Sequence, residues 1–240
     1  MIRPAKRVHN IEIFHIRLSD KATIMSMTKT ISDSTDSGHD IAGVIVAGGV
    51  GSRMNYLDKP LLQVAGATIL KHIIKQAQSQ VTPLLLNVNR NHRTYASYQL
   101  PIISDGRGHA AGPLAGILAA MQWIKAARLQ TRHLACFPGD TPWFPGNIVE
   151  LMRRQMESSG AQIVWLKTDK QLQPLFSLWS MSLAEDIENA LLHQHYSPRY
   201  FIEAKNHVLL ELNNLKAGMF FNINDPAALH KAALLGFTDI

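Results

Sequence analysis

The chain has 240 residues, 46% of them hydrophobic and 18% charged, enough for one sizeable α/β domain or two small ones with a core of ordinary size. Its formal charge of +6 and pI near 9.5 suit a polyanionic partner, yet the basic residues are scattered, with no zinc-finger spacing and no basic-plus-heptad pattern, so phosphorylated small molecules are expected and nucleic acid is not. The single cysteine, Cys136, excludes an intrachain disulfide and a cysteine zinc cluster; with no apolar run near the roughly 20 residues of a membrane span and no continuous signal-peptide core, the expectation is a cytoplasmic protein without membrane contact.

Residues 1–40 read differently from the rest. Met1 to Ile24 is basic and mixed, and Thr28 to Asp40 is rich in Ser, Thr and Asp. Ile11 to Leu18 carries apolar residues at nearly alternate positions and reads as a short strand. The segment is expected to be a flexible N-terminal leader, or the product of a start assigned too early, with Met25 or Met27 the true one.

A single domain is expected over 41–240. Ile41 to Ala47 is an apolar run ending in glycines, as a buried parallel strand would be. Ile69, Leu70, Ile73, Ile74 and Ala77 recur at helical spacing. Leu84 to Val88 and Ile102-Ile103 read as strands. Pro113 to Ile124 reads as a helix with Leu114, Ile117, Leu118, Met121 and Ile124 on one face. His133 to Phe137 and Ile163 to Leu166 read as strands around a helix over Ile148 to Met156. Later, Leu175 to Trp179, Val208 to Leu212 and Met219 to Asn222 look like strands, and Ala184 to His193 and Pro226 to Leu235 like helices. Strands alternating with helices imply right-handed crossovers and a mainly parallel, mixed sheet: an α/β, Rossmann-like three-layer sandwich.

The strongest local signal follows the first strand: Val46, Ala47, Gly48, Gly49, Val50, Gly51, Ser52, Arg53 and Met54, then Asp58, Lys59 and Pro60. Glycines there let backbone N–H groups close on a phosphate, with Arg53 and Lys59 to offset its charge. Walker A would need a Lys after Gly51, and the dinucleotide fingerprint a third glycine where Met54 stands. A tight strand–helix turn with incidental surface charges is the plain alternative. The string resembles the signature L-A-G-G-x-x-x-R-M-G-x-x-D-K of molybdenum cofactor guanylyltransferases. That resemblance implies the nucleotidyltransferase fold, GTP as the nucleotide, Val46 to Gly49 as the loop around its triphosphate, and Arg53 and Lys59 as phosphate clamps. Asn55 and Tyr56 depart from the family, which usually has glycine after Arg-Met.

Asp140, in Phe137-Pro138-Gly139-Asp140-Thr141-Pro142, ends a buried strand where open α/β sheets bind ligands, and a carboxylate there suits Mg²⁺. An Asp in a proline-rich turn is the alternative. Gly112 and Gly116, in Gly112-Pro113-Leu114-Ala115-Gly116, precede and open a helix whose N-terminus attracts anions. His109 reads as a loop histidine. Asn222 and Asn224 lie on one side of an extended segment, or cap and turn into the helix after Pro226. The family has matching elements. The resemblance implies that Asn87 and Asp105 contact the nucleotide, that Asp140 is the magnesium ligand, and that Gly112, Gly116, Asn222 and Asn224 lie on the pterin side. Between Asp169 and Leu215 the likeness thins: the family's glycine-and-arginine segment is not evident, and Ser197-Pro198-Arg199 stands in its place. Trp143, Trp165 and Trp179 read as packing residues.

The resemblance implies transfer of GMP from GTP to the terminal phosphate of molybdopterin, with pyrophosphate leaving. It implies Arg53, Lys59 and Asp140 as the catalytic set, and cofactor-biosynthesis proteins or apo-molybdoenzymes as further partners. Two other readings remain at this stage: a related enzyme with another acceptor or nucleotide, and a non-catalytic nucleotide-binding relative.

Overall fold

The structure is a computed structural model that describes residues 40–48, 58–106, 112–169 and 171–234. The strand expected over Ile11 to Leu18 lies outside them. Among the described residues, seven strands form one sheet in the order β5-β4-β1-β6-β8-β7-β9. They are β1 (Ile41–Val46), β4 (Leu84–Asn87), β5 (Ile102–Ile103), β6 (His133–Pro138), β7 (Ile163–Thr168), β8 (Gln171–Ser180) and β9 (His207–Leu212); β2 (Gln63–Val64) and β3 (Ala67–Thr68) make a separate small hairpin. Six helices matter here: α1 (Ile69–Ala77), α2 (Gly112–Ala126), α3 (Ile148–Ser159), α4 (Ala184–Leu192), α5 (Pro198–Glu203) and α6 (Pro226–Leu234).

β1 runs parallel to both β4 and β6, which is why it is buried on both faces and reads as an unbroken apolar run. Its side chains alternate. Ile41 and Ile45 join one core with α1 and α3, whereas Ala42 and Val44 join the other with α2, α4 and α5. The two cores make the three layers. Helix α1 is capped by Thr68, whose hydroxyl accepts the Lys71 N–H at 3.1 Å, and its whole apolar stripe from Ile69 to Ala77 is buried. Helix α2 is buried over more of its circumference than one stripe, because Ala115, Gly116, Ala119 and Ala120 are inside as well. These small residues fit it between the sheet and α4.

β8 is the antiparallel member, wedged between β6 and β7. Only a tight turn at Asp169 separates the end of β7 from β8, too short for the crossover a parallel pair needs. β9 then returns parallel to β7. The strand expected at Met219 to Asn222 does not form. Phe220 has φ +58, which breaks an extended run, and the segment instead gives its Phe220 and Ile223 N–H groups to the Trp143 and Asp140 carbonyls at 2.8 and 2.9 Å. No helix among the described residues is long and apolar enough to cross a membrane.

Candidate active site

The parallel strands β1, β4, β5 and β6 all end at one edge, where open α/β sheets present ligand crevices. Val46 ends β1, and the Ala47 N–H donates to the Asn87 carbonyl at 2.9 Å, so the chain leaves the sheet beside β4. Gly48 follows. A Cβ on it would lie 2.7 Å from Asn89 Nδ2, so this position accepts no side chain without displacing Asn89. Gly49 and Arg53, with Asn55, Tyr56 and His109, lie outside the described residues.

Asn87 is fully buried at the end of β4. Its Nδ2 donates to Asp105 Oδ1 at 2.9 Å, and Asn89 Nδ2 donates to Asp105 Oδ2 at 2.8 Å. The Asp105 N–H returns a bond to Asn89 Oδ1 at 2.9 Å. Two amides thus grip one carboxylate and fix its plane. Asn89 reads in the sequence as a strand-end cap; the alternation Asn87-Val88-Asn89, which puts both amides on one side, is the signal that finds it. Gly116 lies beneath Asn87, because α2 crosses the end of β4 at a distance that only a hydrogen side chain permits: a Cβ would be 2.4 Å from Asn87 Oδ1. Gly112 opens α2 beside the backbone of Tyr196.

Asp140 follows β6. Burial raises its carboxyl above the ordinary carboxylate range, and the nearby Lys59 cation, the Thr141 hydroxyl at 3.2 Å and a hydrogen bond from the Asn222 side chain offset this only in part. Lys59 Nζ donates to Asn224 Oδ1 at 2.9 Å. Ile223, between the two asparagines, is wholly buried, so the extended segment turns Asn222 and Asn224 the opposite way, toward Asp140 and Lys59. Asp58, the residue before Lys59, is tethered in turn, by Arg90 at 3.4 Å and by the Asn91 amide at 2.7 Å. Four residues from three distant stretches of the chain therefore meet in one polar cluster. Next to it, between the β7–β8 turn and residues 215–222, opens a cleft of about 680 Å³, lined by Thr168, Asp169, Gln171, Lys216, Phe221 and Asn222 among others. Arg199 is not in that lining; it lies exposed on α5, paired with Glu203 at 2.9 Å. Trp143, Trp165 and Trp179 are buried packing residues.

The donor set at Asp140 suits a hard cation. It offers the Asp140 carboxylate with the Asn222 side chain beside it, oxygen donors of the type Mg²⁺ takes together with water and substrate phosphates.

A parallel sheet edge with a gripped carboxylate on one half and a polar cluster beside an open cleft on the other is the kind of crevice in which open α/β sheets bind ligands. The family described as the MobA-like NTP transferase domain matches residues 43–208. The chain is 34% identical over 200 residues to the molybdenum cofactor guanylyltransferase of Cupriavidus pinatubonensis, covering 80% of this chain and 97% of that protein. To the Ralstonia pickettii protein of the same name it is 34% identical over 203 residues, 81% of this chain and 96% of the other. It belongs to the molybdenum cofactor guanylyltransferase family. The fold matches the crystal structure of molybdopterin-guanine dinucleotide biosynthesis protein A from Archaeoglobus fulgidus, with TM-score 0.66 and 20% identity over 81% of this chain and 97% of that one.

Proposed function

We propose that residues 41–240 act as one nucleotidyltransferase domain that transfers GMP from GTP to the terminal phosphate of molybdopterin, with Mg²⁺ at Asp140 and pyrophosphate leaving. The observation that carries this reading is the meeting of Lys59, Asp140, Asn222 and Asn224 at the seam between the two halves of the sheet. On the β1–β4–β5 side, the Ala47 and Gly48 backbone borders the space for the triphosphate, and Asp105, gripped by Asn87 and Asn89, faces the nucleotide's donors. On the β8–β7 side, the cleft beside Asn222 is large enough for a flat pterin and joins apolar with polar walls.

Transfer of a nucleotidyl group asks the protein for alignment and charge neutralisation rather than covalent chemistry. Lys59 stands against the phosphates and balances the charge that develops on pyrophosphate. Asn224 holds the Lys59 ammonium in place, and Asn222 orients the Asp140 carboxyl. Arg53 is assigned a second clamp on the triphosphate. When bound, magnesium neutralises the substrate oxygens at the α-phosphate and makes it the better electrophile. The acceptor phosphate is itself the nucleophile, so no protein nucleophile is needed. We place the reaction in the cytoplasm, with apo-molybdoenzymes or cofactor-biosynthesis proteins as recipients of the product.

Calorimetric titration with GTP, CTP and ATP, each with and without Mg²⁺, tests the nucleotide. Binding confined to GTP and strengthened by Mg²⁺ is the expected result; equal binding of all three, or of none, removes the assignment. Lys59→Met is expected to lower kcat/KM by about 10²- to 10³-fold, the scale for losing one preorganised charge stabiliser. An unchanged value in a pyrophosphate-release assay with molybdopterin would take Lys59 out of the reaction.

A further inference from the structure

Helix α1 and the turn that follows it carry two glutamines that neither the phosphate loop nor the acceptor segment accounts for. Gln76 lies in the last turn of α1 and Gln80 in the turn after it, where Gln80 Nε2 also donates to the Gln76 carbonyl at 3.0 Å. Gln76 Nε2 donates to the Pro142 carbonyl at 2.8 Å, and its Oε1 accepts the Phe144 N–H at 3.1 Å. Gln80 Nε2 donates to the Pro145 carbonyl at 3.2 Å, and its Oε1 accepts the Val149 N–H at 3.1 Å. The orientation of both amides is fixed by their partners, since a carbonyl only accepts and an N–H only donates. Each glutamine therefore does for the loop after Asp140 what a neighbouring strand would do, supplying one donor and one acceptor.

That loop needs such partners. Pro142 and Pro145 offer no N–H, so regular pairing is interrupted, and the Val149 N–H belongs to the first turn of α3, where Asn147 makes no side-chain cap. Backbone groups left unpaired there would cost stability or let the loop move. On its other flank the loop is held by the acceptor segment, through Ile223 N–H to the Asp140 carbonyl and Phe220 N–H to the Trp143 carbonyl. Asp140 to Phe144 is thus a strut gripped from α1 on one side and from residues 220–223 on the other.

We infer that Gln76 and Gln80 are positioning residues for the transfer reaction: their side-chain clasp on Pro142, Phe144, Pro145 and Val149 sets the place of the Asp140 carboxyl and, through the strut, of Asn222. The inference rests on the reading of Asp140 as the carboxylate that acts at the reacting phosphates. Neither glutamine touches substrate. Their effect falls on alignment, so kcat and the Mg²⁺ requirement respond, while GTP affinity at saturating Mg²⁺, to which Asn87 and Asp105 contribute across the sheet, does not.

Three variants test this: Gln76→Leu, Gln76→Glu and Gln80→Leu, with Asp140→Asn alongside. Gln76→Glu keeps the volume and the acceptor for Phe144 but removes the donor to Pro142, so a role in packing alone leaves it unaffected. Both Gln76 variants are expected to lose kcat by about 10- to 100-fold, the scale of a small misplacement of reacting groups. At saturating Mg²⁺, KM for GTP stays within about twofold, and half-saturating Mg²⁺ rises, as a split between positioning and binding requires. Without substrate or metal, amide exchange measured by NMR is expected to be at least about tenfold faster at Phe144 in Gln76→Leu and at Val149 in Gln80→Leu, since each N–H loses its acceptor. Unchanged exchange, or faster exchange with unchanged kcat and Mg²⁺ dependence, overturns the inference. An active Asp140→Asn enzyme would instead overturn the reading beneath it. An inactive Asp140→Asn beside fully active Gln76 variants leaves that reading standing and removes the clasp.

Discussion

Asp140→Asn is expected to lose transfer activity by about a thousandfold or more, a scale set by removal of a central charge stabiliser, and at the same time to melt at a higher temperature than the wild type at pH 7. The second half follows from the sign of the carboxyl's shift. Burial raises it, and Lys59, Thr141 and Asn222 do not fully compensate. A carboxyl whose folded pKa lies above its unfolded value favours the fold while protonated, below about pH 4, and that contribution is lost as pH rises through the folded value. Asparagine has the same shape and never ionises. The melting difference between variant and wild type is therefore expected to be near zero below the carboxylate range and to open as pH rises past it. For a chain of this size each kcal/mol moves the midpoint by roughly 2–4 °C. Magnesium added to the wild type supplies the missing counter-charge, so the gap narrows with added Mg²⁺ and the variant does not respond. A variant that melts lower than wild type at pH 7 would show that the Lys59 attraction outweighs desolvation. A variant that retains activity would take Asp140 out of the reaction.

Such a trade between stability and function marks where sequence reading succeeds and where it stops. The sheet was legible because β1, β4, β6 and β7 are short apolar runs, buried on both faces, and α1 repeats its apolar residues at helical spacing. The segment at Met219 to Asn222 misled because Phe220 and Ile223 are buried at a spacing of three while the backbone turns between them; apolar content cannot reveal a positive φ at a phenylalanine. Asp140 stood out as a carboxylate after an apolar strand, and Asn87 and Asp105 through the family resemblance. What no linear pattern contains is which polar groups meet. Lys59 and Asn224 bond across 165 positions, and Gln76 lies 66 from Pro142. Gln76 looks like the wet side of an amphipathic helix and Gln80 like an ordinary turn residue, because a face turned to a polar loop has the same composition as one turned to water.

Gly116→Ala is expected to destabilise the protein by about 1–3 kcal/mol, the usual range for forcing a methyl group into a packed interior. It should also raise KM for GTP by about tenfold, the factor that corresponds to 1.4 kcal/mol of lost binding. Helix propensity predicts the reverse, since alanine is better than glycine in a helix interior by about 1 kcal/mol. Magnitude decides between them. The added Cβ would lie 2.4 Å from Asn87 Oδ1 and 2.8 Å from its Cγ, separations that atoms do not tolerate, and Asn87 is buried with its Nδ2 committed to Asp105. Asn87 must then move, and with it goes half the grip on the Asp105 carboxylate, which couples a stability defect to a nucleotide defect. A double-mutant cycle isolates the contact. Asn87→Ala removes the side chain that the new methyl group strikes, so Gly116→Ala should cost far less in that background, and the two effects should not add. Additive losses would place the damage elsewhere in α2. A gain in melting temperature for Gly116→Ala alone would mean that α2 can withdraw from β4, and the tight crossing that shapes this half of the site would not be a constraint.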